Sequence, residues 1–541
     1  MLDILIKNAK IIDGTGAPWF RGNVGIKEDK IAYIGKDNLG SKRTIDAGDA
    51  VVAPGFIDIH CHSDFVYFSD PANLKKLAQG VTTEVNGNCG ISAAPLSEKY
   101  RKEIADYAGT IQVSEDLECN WQTLGQYLEE IENLPLAINV ATWVGQGTVR
   151  AAVMGFEDRA ATNEEMAQMK TMLEESMDAG AFGISTGLSY PPGVYTSTGE
   201  LVELCKHVAA RGGIYCTHIR SESDQQLEAL KEAIHIGVKA GLPVQIAHHK
   251  ICGQANWGQS KDTLALIDRA RSGGHDVTLD QYPYLAANTT LNALLPPWSQ
   301  IGGVQSLLNR LKSEDVRMKI KHEINEDTSW ENPVRSCGGW QSILIISAPK
   351  TPQYEGKTML EAAQKANKEP GDLIFDIIIA NKGKTAGCMF MMEEKDVKNI
   401  MRHPATMVAS DGIPSPPGAK SHPRMAGAFA RILGYYVRKE NVLSLEKAVK
   451  KMTGMPARRL GLLQKGFVHL GFDADIVVFD PDMVNDCATY QEPLKPPTGI
   501  NYVIVGGKTV LEHGELTGAH PGKVLRHKNK GASPKKPFVK Y

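Results

Sequence analysis

Short apolar runs alternate with longer amphipathic segments through the middle of the chain. Residues 213–218 (G-I-Y-C-T-H) and 243–248 (P-V-Q-I-A-H) read as buried strands, each preceded by a helical segment that ends at glycine. Residues 160–179 open with a Thr162-x-x-Glu165 capping box, carry Met and Leu at helical spacing and stop at Gly180. Residues 198–211 and 223–240 repeat that plan. Strand and helix alternating at steps of about thirty residues predict a parallel sheet with helical crossovers. With six or more such units, closure into a (β/α)8 barrel is the economical solution.

The ends of the chain have another texture. Residues 2–47 and 471–511 are short alternating runs broken by turn residues, and neither end has enough apolar surface to stand alone. They are expected to pair into one small β-sandwich, residues 1–53 with 461–527, around a barrel of residues 54–460. The stretch 285–395 exceeds an ordinary loop and holds a helical region at 303–324 and a strand-like S-I-L-I-I-S-A. It reads either as a lid that shapes specificity or as an extension of the barrel wall. Residues 528–541, rich in Lys and Pro, read as a disordered tail.

Composition narrows the class. Of 541 residues 23% are charged and 42% hydrophobic, and a net charge of −2 gives no reason to expect a nucleic-acid partner. Residues 2–12, interrupted by Asp and Lys, form neither a signal peptide nor a membrane span. Nine cysteines without framework spacing point to reduced thiols and a cytoplasmic location. Oligomeric state is not encoded in any of these features.

The chemistry collects at the ends of the apolar runs. Residues 51–62, V-V-A-P-G-F-I-D-I-H-C-H, place His60 and His62 two apart, so that on a strand both point the same way and can share a cation. Downstream, Cys89 ends G-V-T-T-E-V-N-G-N-C, His218 ends G-G-I-Y-C-T-H, His248 ends G-L-P-V-Q-I-A-H and Asp411 ends A-T-M-V-A-S-D. Singly, each has a plain structural reading: a buried Cys is usually an inert apolar residue, and Asp-Gly near Pro414 is a common turn. As a series they are ligand types of a zinc site, delivered where the top of a parallel barrel would collect them.

The set P-G-F-I-D-I-H-C-H, N-G-N-C-G, G-L-S-Y-P-P-G-V-Y, T-H-I-R-S-E, H-H-K-I-C-G-Q-A-N-W-G, D-Q-Y-P-Y and A-S-D-G resembles the N-acyl-D-amino-acid deacylase branch of the amidohydrolase superfamily. The resemblance implies a zinc-bearing (β/α)8 barrel with a small β-sandwich from both chain ends. Many amidohydrolases carry a carboxylated lysine on the fourth barrel strand; here that segment, G-A-F-G-I-S-T-G-L-S-Y, has none, and Cys89 matches the cysteine that takes the bridging place in this branch. By resemblance Cys89, His218 and His248 form the tight zinc site, and His60 and His62 a second, weaker one. His248 is preferred over His249 because it shares a strand face with Lys250, which the family uses near substrate.

Zinc lowers the pKa of bound water and polarises a carbonyl, and a carboxylate must then carry a proton to the departing amine; Asp411, in the family's A-S-D-G position, is that residue. Tyr190, Lys250 and Tyr282 match family positions that hold the substrate carboxylate. Arg220 has two readings, as a further donor or as the partner of a protein carboxylate. Three departures bear on specificity. Ala287 and Asn288 replace a Gly and a hydroxyl donor, the carboxylate-binding arginine is missing from T-T-L-N-A-L-L-P-P-W, and Gln146 stands where a histidine is frequent. The expected activity is zinc-dependent hydrolysis of N-acyl-D-amino acids, a small-molecule reaction in which chirality rests on the resemblance alone. The alternative is a zinc amidohydrolase acting on another linear or cyclic amide, and the least favoured is a non-catalytic barrel protein.

Overall fold

The computed structural model describes residues 1–108, 117–327, 329–415 and 420–528. Most of the expected tail at 528–541 lies outside them. The chain has a mixed α/β architecture. Strands Val81–Asn86 and Asn139–Thr142 run parallel to Phe56–Asp58 in one sheet. A six-stranded parallel sheet takes the order Thr406–Val408, Val277–Gln281, Val244–Ile246, Ile214–His218, Gly183–Gly187 and Val144–Gly145. Hydrogen bonds cross between the two sheets at both sides: Asp411 N to His60 O at 2.8 Å and His62 N to Gly412 O at 3.0 Å, and Phe182 N to Thr142 O at 2.9 Å.

The strands are buried on both faces, which is why they read as continuous apolar runs rather than alternating ones. Ile57, Val85, Ala141, Trp143, Phe182, Ile214, Cys216, Met407 and Ala409, from or beside strands of both sheets, join one apolar cluster. The crossover helices begin where local chemistry dictates. Asn163–Asp178 is capped by Thr162, whose hydroxyl accepts from Glu165 N while the Glu165 carboxylate accepts from Thr162 N. Thr198–Ala209 is capped in the same way by Ser197 and Glu200. The helix expected at 223–240 starts later, as Gln226–Ala240, because the Ser223 hydroxyl and the Asp224 carboxylate are engaged by Glu331 and Arg335.

Both chain ends enter one nine-stranded sheet. Val51–Pro54 pairs antiparallel with Ile476–Phe479, which joins strands from the N-terminal end to Ile500–Val505 and Lys508–Glu512. Ile4, Ile6, Ile11, Val24, Ile26, Ile45, Ile476 and Ile504 form an apolar cluster of their own there. Within 285–395 lie the helices Gly303–Arg310 and Glu314–Glu326, and a small antiparallel sheet of Ala286–Thr289, Ala386–Phe390 and Ile343–Ser347. Among the described residues no helix is long and apolar enough to cross a membrane.

Candidate functional site

Every residue expected to hold a cation sits at or just past the C-terminal end of a parallel strand, where open positions of such sheets collect ligands. His218 is the last residue of its strand, whereas His60, His62, Cys89, His248 and Asp411 lie just beyond theirs. Cys89, His248 and Asp411 have φ of 52°, 33° and 48°. Left-handed backbone at three non-glycine residues is uncommon and needs surrounding structure to over-determine it. Around Cys89 that structure is visible: Gly87 (φ 71°) packs so close to the Trp143 carbonyl, and Gly90 (φ 76°) to Gly187 N, that a side chain at either would collide.

The turns converge. Cys89 Sγ lies 3.5 Å from His60 Nε2 and 3.4 Å from His248 Nε2. Asp411 Oδ1 lies 3.4 Å from His60 Nε2 and 3.3 Å from His62 Nε2. Ligands about 2.0–2.3 Å from a tetrahedral zinc are separated by about 3.3–3.8 Å, so these spacings suit such an ion. His60, Cys89 and His248 form one set of ligand atoms within 4.8 Å of one another, and His60, His62 and Asp411 a second. Cys89 thus stands between His60 and His248, where one sulfur can serve two cation positions. The His218 ring is 4.5 Å from that of His248, with Nε2 2.9 Å from Ser189 Oγ. Burial holds His62 at about 4 and drives His218 well below its usual value, favouring the neutral imidazole that a metal needs.

Residues that sequence reasoning passed over surround this cluster. Asp280 accepts from His248 N at 2.7 Å, and the same oxygen lies 3.3 Å from His60 Nδ1, the arrangement by which a carboxylate fixes a ligand imidazole. Glu222 lies 2.5 Å from Lys250 Nζ, 3.0 Å from His248 Nδ1 and 3.6 Å from His218 Nε2. Burial pushes the Glu222 carboxyl up, but Lys250, His218 and His248 outweigh it and hold it well below the usual range. Arg424, also buried, lies 2.7 Å from Asp411 Oδ2. Asp280 opens D-Q-Y-P-Y and Glu222 falls inside T-H-I-R-S-E, signals that could have raised both; Arg424 follows a Pro- and Ser-rich sequence and has no such signal.

The three residues expected to meet substrate lie on the same side. Tyr190 packs edge-on against His218 at 4.9 Å. Lys250 Nζ lies 2.6 Å from His248 Nδ1, although the strand ends at Ile246; the left-handed turn at His248, not strand alternation, brings them together. Tyr282 is buried with its hydroxyl unpartnered, and its ring lies 4.6 Å from the Arg424 guanidinium and 5.6 Å from Lys250 Nζ. Arg220 leaves the strand direction after His218. Its guanidinium pairs with Glu232 at 2.9 Å and donates to the Val194 and Thr196 carbonyls. Gln146 is buried and donates to Thr196 Oγ1.

Three cavities meet at Tyr190. The first, about 60 Å³, is lined by His62, Cys89, His218, His248 and Asp411 together with Asn288 and Thr289. A narrow apolar one of about 80 Å³ runs toward Ile91, Tyr107, Phe156 and Val304. The third, about 580 Å³, opens between Ser189–Val194 and residues 329–338, and includes Glu331, whose carboxyl burial raises to about 6. No lysine or arginine lines the first two, and the two arginines lining the third, Arg220 and Arg335, are already paired with Glu232 and Asp224.

Comparison with known proteins identifies the family to which the chain belongs. The amidohydrolase family profile matches residues 43–327 and 373–511. D-aminoacylase of Alcaligenes xylosoxydans xylosoxydans is 38% identical over 97% of both chains, and N-acyl-D-aspartate deacylase of the same organism 35% identical over 97% of this chain and 95% of its own. The crystal structure of N-acyl-D-glutamate deacylase from Bordetella bronchiseptica, complexed with zinc and a phosphonate mimic of the tetrahedral intermediate, superposes with a TM-score of 0.82. It is 34% identical and covers 97% of this chain and 99% of its own.

Proposed function

Because the chain belongs to the amidohydrolase family, we propose that it is a zinc-dependent hydrolase that cleaves the amide of N-acyl-D-amino acids to a carboxylate and a free D-amino acid. The observation that carries this reading is the convergence of Cys89 with His60, His248 and Asp411 at zinc-ligand spacing. Cys89, His218 and His248 would hold the tight zinc, and His60 and His62 would offer a second position beside Asp411. When bound, zinc brings the deprotonation of a water into the neutral range and polarises the amide carbonyl. Asp411 accepts the proton of the attacking water and returns it to the amine nitrogen, which leaves poorly unless protonated. Lys250, Tyr282 and Arg424 supply donors for the substrate carboxylate, and Tyr190 borders the reacting centre.

The architecture supporting this site is inferred to be a closed (β/α)8 barrel over residues 54–460. Its eight strands would be those of the two parallel sheets, with Asn139–Thr142 and Val144–Gly145 as one strand crossing from one sheet to the other. The nine-stranded sheet of residues 1–53 and 461–527 would be the small β-domain, and 285–395 the cover over the cavities. Nine free cysteines suit a reducing compartment such as the cytoplasm.

The cavities carry a statement about specificity. An acidic side chain would have to leave water without an unpaired cation to receive it, at a cost of several kcal/mol. N-acetyl-D-leucine, -methionine and -phenylalanine are therefore expected to exceed N-acetyl-D-aspartate and -glutamate in kcat/KM by roughly 100-fold or more. The test is amine release by zinc-quantified protein from these substrates, their L-enantiomers and a hydantoin. Faster turnover of the acidic substrates would refute the specificity, and L-selective turnover or hydantoin opening would refute the reaction.

A further inference from the structure

Beneath the site lies a charged network with no solvent access. Lys76, in the short helix Leu74–Leu77, is fully buried, with Nζ 2.5 Å from Asp58 Oδ2, 2.6 Å from Ser410 Oγ and 3.4 Å from Glu84 Oε1. The Ser410 hydroxyl donates to Asp58 Oδ2 at 2.5 Å and accepts from Lys76 and from Gly412 N at 2.9 Å, so its donor and both acceptor positions are used. Ser410 N donates to Asp58 Oδ1 at 2.9 Å. Glu84 in turn accepts from Ser63 Oγ, Tyr67 OH and Asn73 Nδ2.

The network grips the backbone on both sides of Asp411, whose φ of 48° is left-handed and uncommon for a non-glycine residue. It also reaches the turn carrying the two histidines, through Asp58 beside His60 and Ser63 beside His62. Burying one ammonium between two carboxylates is a costly way to stabilise a core, since apolar residues of similar volume usually do as well or better. What apolar residues cannot do is hold the Ser410 hydroxyl in a single orientation. We propose that Lys76, Asp58 and Ser410 form a clamp of positioning residues that fixes the Asp411 carboxylate against His60 and His62, so that proton transfer occurs from one geometry.

This inference rests on Asp411 being the proton carrier, and a test must separate the two. Ser410→Ala removes the junction of the clamp at small cost in volume, and Lys76→Met removes its charge. Turnover is measured per bound zinc, with KM and melting temperature, for the best substrate of the panel. Ser410→Ala is expected to keep its zinc and a KM within about threefold while kcat falls roughly 10- to 100-fold, the scale of misplacing a catalytic group by an ångström or less. Lys76→Met should lower kcat at least as far, and the double variant should be no worse than Lys76→Met alone within about threefold, because both act through one contact. A role in folding alone would lower the melting temperature and leave kcat per zinc unchanged. A Ser410→Ala enzyme within twofold of the parent kcat overturns the clamp, even where Lys76→Met fails to fold. If Asp411→Asn is itself fully active, the failure lies with the proton carrier instead.

Discussion

Asp411→Asn is expected to retain one zinc per chain and to lose turnover by about 10³-fold, within the range that a positioned general acid–base contributes. The substitution is isosteric but leaves one acceptor oxygen in place of two, so the side chain can keep the contact near His60 and His62 or the one at 2.7 Å to Arg424, and not both. What is lost is the ability to take a proton. In the parent, burial pushes the Asp411 carboxyl up, but Arg424, His248 and His60 outweigh it and hold it well below the usual carboxylate range. A depressed pKa means that the group is ionised throughout the neutral range and is protonated only as pH falls well into the acid. In the proposed mechanism it would therefore enter the reaction as a base, and the acid that protonates the amine would be generated in the first half of the cycle. Zinc analysis beside steady-state kinetics checks the prediction. Turnover within tenfold of the parent, with zinc in place, would remove Asp411 from the proton path.

Much of this site was legible because a parallel sheet writes its ligands in one dimension. An apolar run ends, and the next polar residue with ligand chemistry points into the shared crevice. His60, His62, Cys89, His218, His248 and Asp411 all fit that rule, and the structure brings them to one place. The capping boxes at Thr162 and Ser197 were equally local, since each needs only residues three apart. Contacts made by turns were harder to read. Lys250 meets His248 because the backbone turns left-handed at His248, and a period-two argument reaches the right pair for the wrong reason.

The residues that were missed act across the fold. Arg424 follows a sequence with no periodicity and gains its meaning only when it stacks on Tyr282 and pairs with Asp411. Lys76 sits in a sequence that reads as an ordinary amphipathic turn; its partners Asp58 and Ser410 are 18 and 334 residues away. Arg220, two positions past His218, was read as the partner of a protein carboxylate as well as a donor at the site, and its guanidinium is held by Glu232 and two backbone carbonyls; that the carboxylate is Glu232 was not legible. Charge in a sequence shows that a partner must exist, and only tertiary structure shows which.

Cys89→Ala is expected to abolish zinc and activity together, with bound zinc falling below about 0.1 per chain and turnover to the background rate. The thiol is the soft donor of the cluster, and its Sγ is within 3.5 Å of two imidazole nitrogens, so its removal takes the only sulfur from the set it forms with His60 and His248 and leaves the set of His60, His62 and Asp411 intact. Its environment makes it a conditional ligand. Burial pushes the free Cys89 thiol well above its usual pKa, so without metal the sulfur stays a neutral thiol, and zinc would have to displace the proton to gain a thiolate. Zinc uptake should therefore release a proton from the parent protein, and apparent affinity should rise with pH across the neutral range. A Cys89→Ala protein that kept stoichiometric zinc and normal turnover would place the metal on the histidines and Asp411 alone. Loss of zinc with no loss of turnover would separate the metal from the chemistry altogether. Because alanine, like cysteine, is strained in the left-handed backbone at 89 and glycine is not, Cys89→Gly serves as the control. It should lose zinc to the same extent while recovering any melting temperature that alanine costs, which would locate the catalytic defect in the missing sulfur rather than in the turn.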